Sequence, residues 1–135
     1  MRAGWSGRGD VGAGMTEPAE DRALELARTI VDVLDEHKGE DILLLDLNGV
    51  CSFADYFVLC TGASERTLGA LAEEVLRRLK QGRRIVARGV EGQAESGWIL
   101  LDFGDVILHL FSHDLRDYYR LEDLWRKGRV VLRVQ

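Results

Sequence analysis

Two carboxylates and an imidazole, Asp102, Asp105 and His109, stand three and four residues apart in the last third of the chain. A pair of acids can hold a divalent cation for phosphoryl transfer, and a histidine can move a proton beside it. The competing reading is structural. Asp102 and Asp105 bracket Phe103-Gly104, a hairpin signal, and acids are common at such turns whatever the function. A triphosphate-using enzyme also needs a glycine-serine loop, and none is read in this sequence. His109 and His113 have a spacing that suits zinc only on one helix with an adjacent glutamate; His109 falls in a predicted strand and Leu110 fills the glutamate position. Cys60 precedes a helix N-terminus, which favours a thiolate, but no histidine is near, so a small buried thiol is the preferred reading. Gly7-Arg8-Gly9-Asp10-Val11-Gly12 matches a dinucleotide fingerprint as a string, yet no strand precedes it. No catalytic residue, metal ligand or cofactor is therefore expected.

A different constellation is better populated. Trp98, Phe103, Tyr118, Tyr119 and Trp125 crowd the region that also carries most of the unbalanced acid. Between Arg88 and Trp125, eight acids face three bases, which accounts for the whole net charge of −5. Aromatic side chains ringed by charge are the usual anchors of protein interfaces. An acidic surface repels phosphate and attracts basic protein, so the expected partner is a protein and no direct nucleic-acid site is predicted.

Something must position these groups. Thr16-Glu17-Pro18 reads as a helix start, and Leu24, Ala27, Val31 and Leu34 recur at helical spacing, giving a helix over about 18–38 that Gly39 ends. Asp41–Leu47 is a buried strand closed by the turn signal Asn48-Gly49, and Tyr56–Cys60 is a second strand, at a spacing that permits an antiparallel pair with an extended connection. Thr61-Gly62-Ala63-Ser64 caps a long helix with Leu68, Leu71, Ala72, Val75 and Leu79 on one face, stopped by Gly82. Arg84–Ala87 reads as strand three, and Gly89-Val90-Glu91-Gly92 as a turn-rich linker. Trp98–Asp102 and Val106–Phe111 form a hairpin, Leu115–Trp125 a short helix, and Val130–Val134 a last short strand. This order predicts a single-domain α/β fold with a mixed sheet of about five strands and helices packed on it.

The chain of 135 residues fits one domain, with 46% hydrophobic and 30% charged residues, enough for a core without disulfide or metal staples. The longest apolar runs are far too short to span a bilayer. Residues 1–15 are glycine-rich with no apolar centre, and are read as a disordered extension; Met15 looks like the better start. The domain is expected over 16–127, with 128–135 a tail or short strand. Cys51 and Cys60 form no paired motif and suggest a reducing compartment. A cytoplasmic setting follows, with an organelle matrix as the variant.

The segments Cys60-Thr61-Gly62, Gly89-Val90-Glu91-Gly92, Trp98, Asp102-Phe103-Gly104-Asp105-Val106-Ile107-Leu108-His109, Arg116, Tyr119, Leu121-Glu122 and Leu124-Trp125 occur in an order and spacing that resembles the Iojap-like ribosomal silencing factors, over about residues 20–126. The resemblance implies a nucleotidyltransferase-like topology without that activity. It implies a translation repressor that binds ribosomal protein L-fourteen on the large ribosomal subunit and sterically blocks joining of the small subunit. It also implies an interface that includes Trp98 as aromatic anchor, Asp102 and Asp105 as partners for basic groups, Gly104 for the tight turn, His109 as a hydrogen-bond donor, and Tyr119 nearby. Two other readings stand beside it. One is a divergent nucleotidyltransferase or phosphohydrolase using Asp102, Asp105 and His109; the other is a homodimer whose aromatic surface pairs with itself.

Overall fold

The computed structural model describes residues 19–120 and 128–135. Six strands form one mixed sheet, in the order β3-β4-β5-β2-β1-β6. They are β1 (Glu40–Asp46), β2 (Tyr56–Thr61), β3 (Gly89–Gln93), β4 (Trp98–Asp102), β5 (Val106–Phe111) and β6 (Arg129–Val134). Only β2 and β5 run parallel; every other neighbouring pair is antiparallel. All six residues of both central strands are buried. That is why each reads as a continuous apolar run and not as an alternation.

The two long helices cover one face. α1 (Ala19–Glu36) and α2 (Glu65–Arg83) set Ile30, Leu34, Leu71, Val75 and Leu79 against Ile42, Leu44, Val58, Leu101 and Leu108 of the sheet. The apolar positions recur every three to four residues on the helices and every second residue on the strands, so one stripe meets one face. Ser64 caps α2 by accepting a hydrogen bond from the Thr67 N–H at 3.1 Å. The opposite face carries a smaller cluster of Leu43, Leu45, Leu47, Ala54, Phe57, Leu59 and Ile107. α3 (His113–Tyr119) follows β5 directly, capped by Ser112.

Three sequence expectations are corrected. The sheet has six strands, not about five. Arg84–Ala87 is no strand. α2 runs through Gly82 and closes at Arg84, whose left-handed backbone (φ 57°) turns its N–H onto the carbonyls of Leu79 and Lys80. The strand that pairs with β4 is instead the glycine-rich stretch Gly89–Gln93. It is joined to β4 by a single turn of 3-10 helix at Ala94–Ser96, so it is the segment within hairpin reach. Gly92 has φ +82°, and a Cβ there would lie 2.1 Å from the Trp98 carbonyl oxygen, so only glycine allows this pairing. The third concerns the end of α1. Lys38 adopts the left-handed conformation (φ 72°) expected of Gly39. Gly39 is needed for space, since a Cβ would meet the Cys60 sulfur at 2.7 Å and the Leu34 carbonyl at 2.8 Å.

The short strand expected at Val130–Val134 is present as the edge strand β6, paired with β1. The extension 1–15, the helix start at Thr16-Glu17-Pro18, and Leu121–Trp125 of the last expected helix lie outside the described residues. Among the described residues, no helix is long and apolar enough to cross a membrane.

Candidate partner-binding site

The hairpin between β4 and β5 turns on Asp102-Phe103-Gly104-Asp105. The Asp102 carboxylate accepts the Gly104 N–H at 2.8 Å, and the Phe103 N–H donates to the Val106 carbonyl at 2.9 Å. Gly104 takes φ +92°, a conformation that side chains disfavour. Phe103 swings to the helix side and packs in the larger core. The tip is also tied from outside. The Asp105 carbonyl accepts the N–H groups of Asp55 and Tyr56 at 2.8 and 3.0 Å, and the Arg88 N–H donates to the Asp102 carbonyl at 2.7 Å. The backbone is thus rigid, while the Asp105 side chain is exposed and that of Asp102 half-buried. Such a turn presents carboxylates in fixed directions, suited to meeting cationic groups.

Trp98 lies at the other end of β4. It pairs with Phe111, whereas Asp102 pairs with Ile107 beside the tip. Four residue steps along the strand separate the two, roughly 13 Å at ~3.3 Å per residue. The indole is half-buried and stacks on Phe111, with centroids 6.5 Å apart and planes at 18°. Its ring N–H is buried with no hydrogen-bond partner. Trp98 and Asp102 share a sheet face by strand alternation, but the tryptophan expected as aromatic anchor is not beside the acidic turn.

His109 departs further from expectation. It is 6% exposed and sits between Phe57, at 4.8 Å between ring centroids, and Phe111, at 6.0 Å. Neither ring nitrogen has a partner. Burial alone pushes its pKa down to about 4, so the ring is neutral near pH 7. With both nitrogens sealed, His109 offers no donor to a partner in this conformation. Nor does it reach Asp102 and Asp105 as the acid-base cluster would need. Its cross-strand neighbours are Leu59 and Leu100. Among the described residues, no group of three histidine, cysteine or acidic side chains is placed to hold a metal. Cys60 is fully buried, and burial pushes its thiol up to about 12, the reverse of an activated nucleophile.

Tyr119 falls in α3; its side chain lies outside the described residues. The neighbouring Tyr118 is 77% exposed. Arg116, on the same helix, is buried and donates to the Thr61 hydroxyl at 3.0 Å. This fixes α3 against the C-terminal end of β2. The feature that the sequence did not reveal is Phe53, 60% exposed in the loop between β1 and β2. Its only signal was a large apolar ring within a turn-rich stretch.

These strands, the hairpin and the two covering helices coincide with a known family. The profile described as "Ribosomal silencing factor during starvation" matches residues 20–134. The chain belongs to that family. It is 39% identical to the ribosomal silencing factor of Halalkalibacterium halodurans, over 79% of this chain and 91% of that one. A crystal structure of a Chromobacterium violaceum protein superposes with a TM-score of 0.73 at 33% identity, covering 82% of this chain and 92% of that one. A more distant relative is the mouse protein named "Mitochondrial assembly of ribosomal large subunit protein 1", 30% identical over 71% of this chain and 43% of its own length. The β4–β5 hairpin and the face behind it are thus part of a ribosomal silencing factor.

Proposed function

We propose that this silencing-factor chain represses translation by occupying the large ribosomal subunit, where it holds ribosomal protein L-fourteen and keeps the small subunit from joining. Family membership supports the silencing role, and the mouse relative's name points to the large subunit. The observation that carries the reading is the braced acidic tip. Asp102 and Asp105 project from a hairpin whose backbone is tied to two neighbouring segments, in the part of the chain that holds its whole net negative charge. Basic ribosomal proteins are complementary to such a surface, and complementary fields speed encounter as well as fix register. Trp98, Asp102, Gly104, Asp105 and Tyr119 remain the proposed contact set, in the cytoplasm or an organelle matrix. His109 belongs to it only as the buried support of the face.

The mechanism is steric. A body of 15.2 kDa seated where the small subunit docks excludes it by volume, and occupancy alone sets the effect. The fold is further proposed to share the nucleotidyltransferase-like topology. Catalysis by Asp102, Asp105 and His109 finds no assembled site among the described residues.

The test is sucrose-gradient sedimentation of the full chain with purified subunits. Wild type is expected to travel with the large subunit and to lower the yield of joined ribosomes. Trp98→Ala combined with Asp105→Arg is expected to abolish both effects while the circular dichroism spectrum is kept. Undiminished co-sedimentation of the folded double variant rejects this contact set, and undiminished joining in the presence of bound wild type rejects the mechanism.

A further inference from the structure

Phe53 is the one exposed phenylalanine among the described residues; Phe57, Phe103 and Phe111 are all buried. Its ring lies against Phe57, with centroids 6.2 Å apart and planes at 45°. Phe57 pairs across the sheet with Ile107, and Ile107 with Asp102. These three therefore form one cross-strand row, and Phe53 sits at its β2 end. Two strand spacings of ~4.8 Å put the Phe57 and Asp102 backbones about 10 Å apart. The loop that carries Phe53 ends on the acidic tip itself, because Asp55 and Tyr56 both donate to the Asp105 carbonyl. Val50, 37% exposed, extends the apolar surface of the same loop. Acids outnumber bases around it. Asp46, Asp55, Asp102 and Asp105 stand against Arg129, which pairs with Asp46 at 2.6 Å, Arg88, whose guanidinium lies beside Gly104, and Arg22, which lines a hollow with Asp105; Arg83 in that hollow is paired with Glu25.

We infer that Phe53 is the aromatic anchor of the docking face. It inserts into an apolar pocket on a basic protein of the large subunit, while Asp102 and Asp105 take that protein's cationic groups. The inference rests on the ribosome-binding function proposed above and adds a residue and a geometry to it. The exposed aromatic beside the acidic turn is Phe53, on a loop fastened to that turn, and not Trp98 at the far end of β4. Central aromatic anchors with a charged rim are the arrangement that concentrates binding energy. Ribosomal RNA is the poorer occupant, since the flanking carboxylates repel phosphate.

The experiment is a binding titration of the full chain against purified large ribosomal subunits, read by sedimentation, for wild type, Phe53→Ser, Phe53→Asp and Phe53→Leu. The Ser and Asp variants are expected to weaken binding about tenfold or more, with Leu recovering most of the loss. Their melting temperatures are expected to stay near wild type, because the ring is mostly in water. Wild-type affinity in a folded Phe53→Ser overturns the inference and leaves ribosome binding standing; wild type that fails to sediment overturns both. A photo-crosslinking benzoyl-phenylalanine in place of Phe53 gives a readout independent of affinity. A crosslink to a protein of the subunit supports the assignment, and a crosslink to ribosomal RNA or to a second copy of this chain overturns it.

Discussion

Replacing His109 by leucine is expected to remove a large part of the acid sensitivity of the fold. The imidazole is enclosed by Phe57 and Phe111 and lacks a partner on either nitrogen. Burial therefore holds its pKa at about 4, against 6.5 for the free side chain. The sign follows from proton counting. Between these two values the unfolded chain binds a proton that the folded chain does not, so the unfolded state gains as pH falls. His109 contributes no penalty above pH 6.5, a growing one from 6.5 down to about 4, and a constant one below. At ~1.4 kcal/mol per pH unit the loss reaches about 3 kcal/mol by pH 4. Carboxylate titration also destabilises the protein over part of this range, but it is common to both proteins and cancels in their difference. At pH 7.5 the variant is expected to be at least as stable as wild type. Two orphaned polar atoms are removed, each costing about 1–3 kcal/mol, while ring packing of about 0.5–1.5 kcal/mol is lost. The assay is urea unfolding at half-unit steps from pH 7.5 to 4.0. Parallel stability curves for wild type and His109→Leu would refute the reasoning, since they require a histidine that is already hydrated or protonated in the folded state.

Three further expectations are simpler. Gly92→Ala places a methyl on the Trp98 carbonyl at a positive φ and should cost about 1–3 kcal/mol, with amide exchange rising across β3 and β4 first. Cys60 should resist a thiol reagent at pH 8 in the folded protein, because it is fully buried and its thiol titrates at about 12; labelling as fast as in urea contradicts this. Arg116→Met removes the bond to Thr61 and should destabilise the chain by about 1–3 kcal/mol, detected as faster hydrogen exchange in 113–119 than in α2.

What the sequence revealed depended on how local the determining physics was. The hairpin at Phe103-Gly104 was legible because turn chemistry is written in two adjacent residues. β1, β2 and β5 were legible because a strand buried on both faces must be apolar throughout. β3 was not, since Gly89 and Gly92 lower strand propensity, and only the approach to the Trp98 carbonyl explains why glycine is required. The burial of His109 is signalled by its place inside Val106–Phe111, an otherwise unbroken apolar run; that it has no hydrogen-bond partner there is not. The distance of Trp98 from the tip also followed from strand length. Phe53 had only its ring within a turn-rich stretch as a signal, because the exposure of a loop residue is set by segments distant in sequence, here the hairpin tip that receives its loop.

The division of the sheet into two unlike faces explains why the docking face is proposed where it is. α1 and α2 claim one face entirely, and their contacts bury side chains that no partner can reach. The other face has a smaller apolar cluster, covered among the described residues by the short loop after β1. A thin roof of this kind leaves apolar rings near the surface, as Phe53 shows, and brings strand-borne acids to the rim. It also accounts for His109. A polar ring without partners is tolerable only in a packed environment that excludes water, and it weakens that environment when it is protonated. The same packing that silences His109 as a catalyst therefore keeps the face behind the acidic tip rigid, and rigidity limits the ordering cost of docking. A loss of partner binding between pH 6 and 4 that is absent in His109→Leu would connect the two properties directly; identical loss in both would separate them.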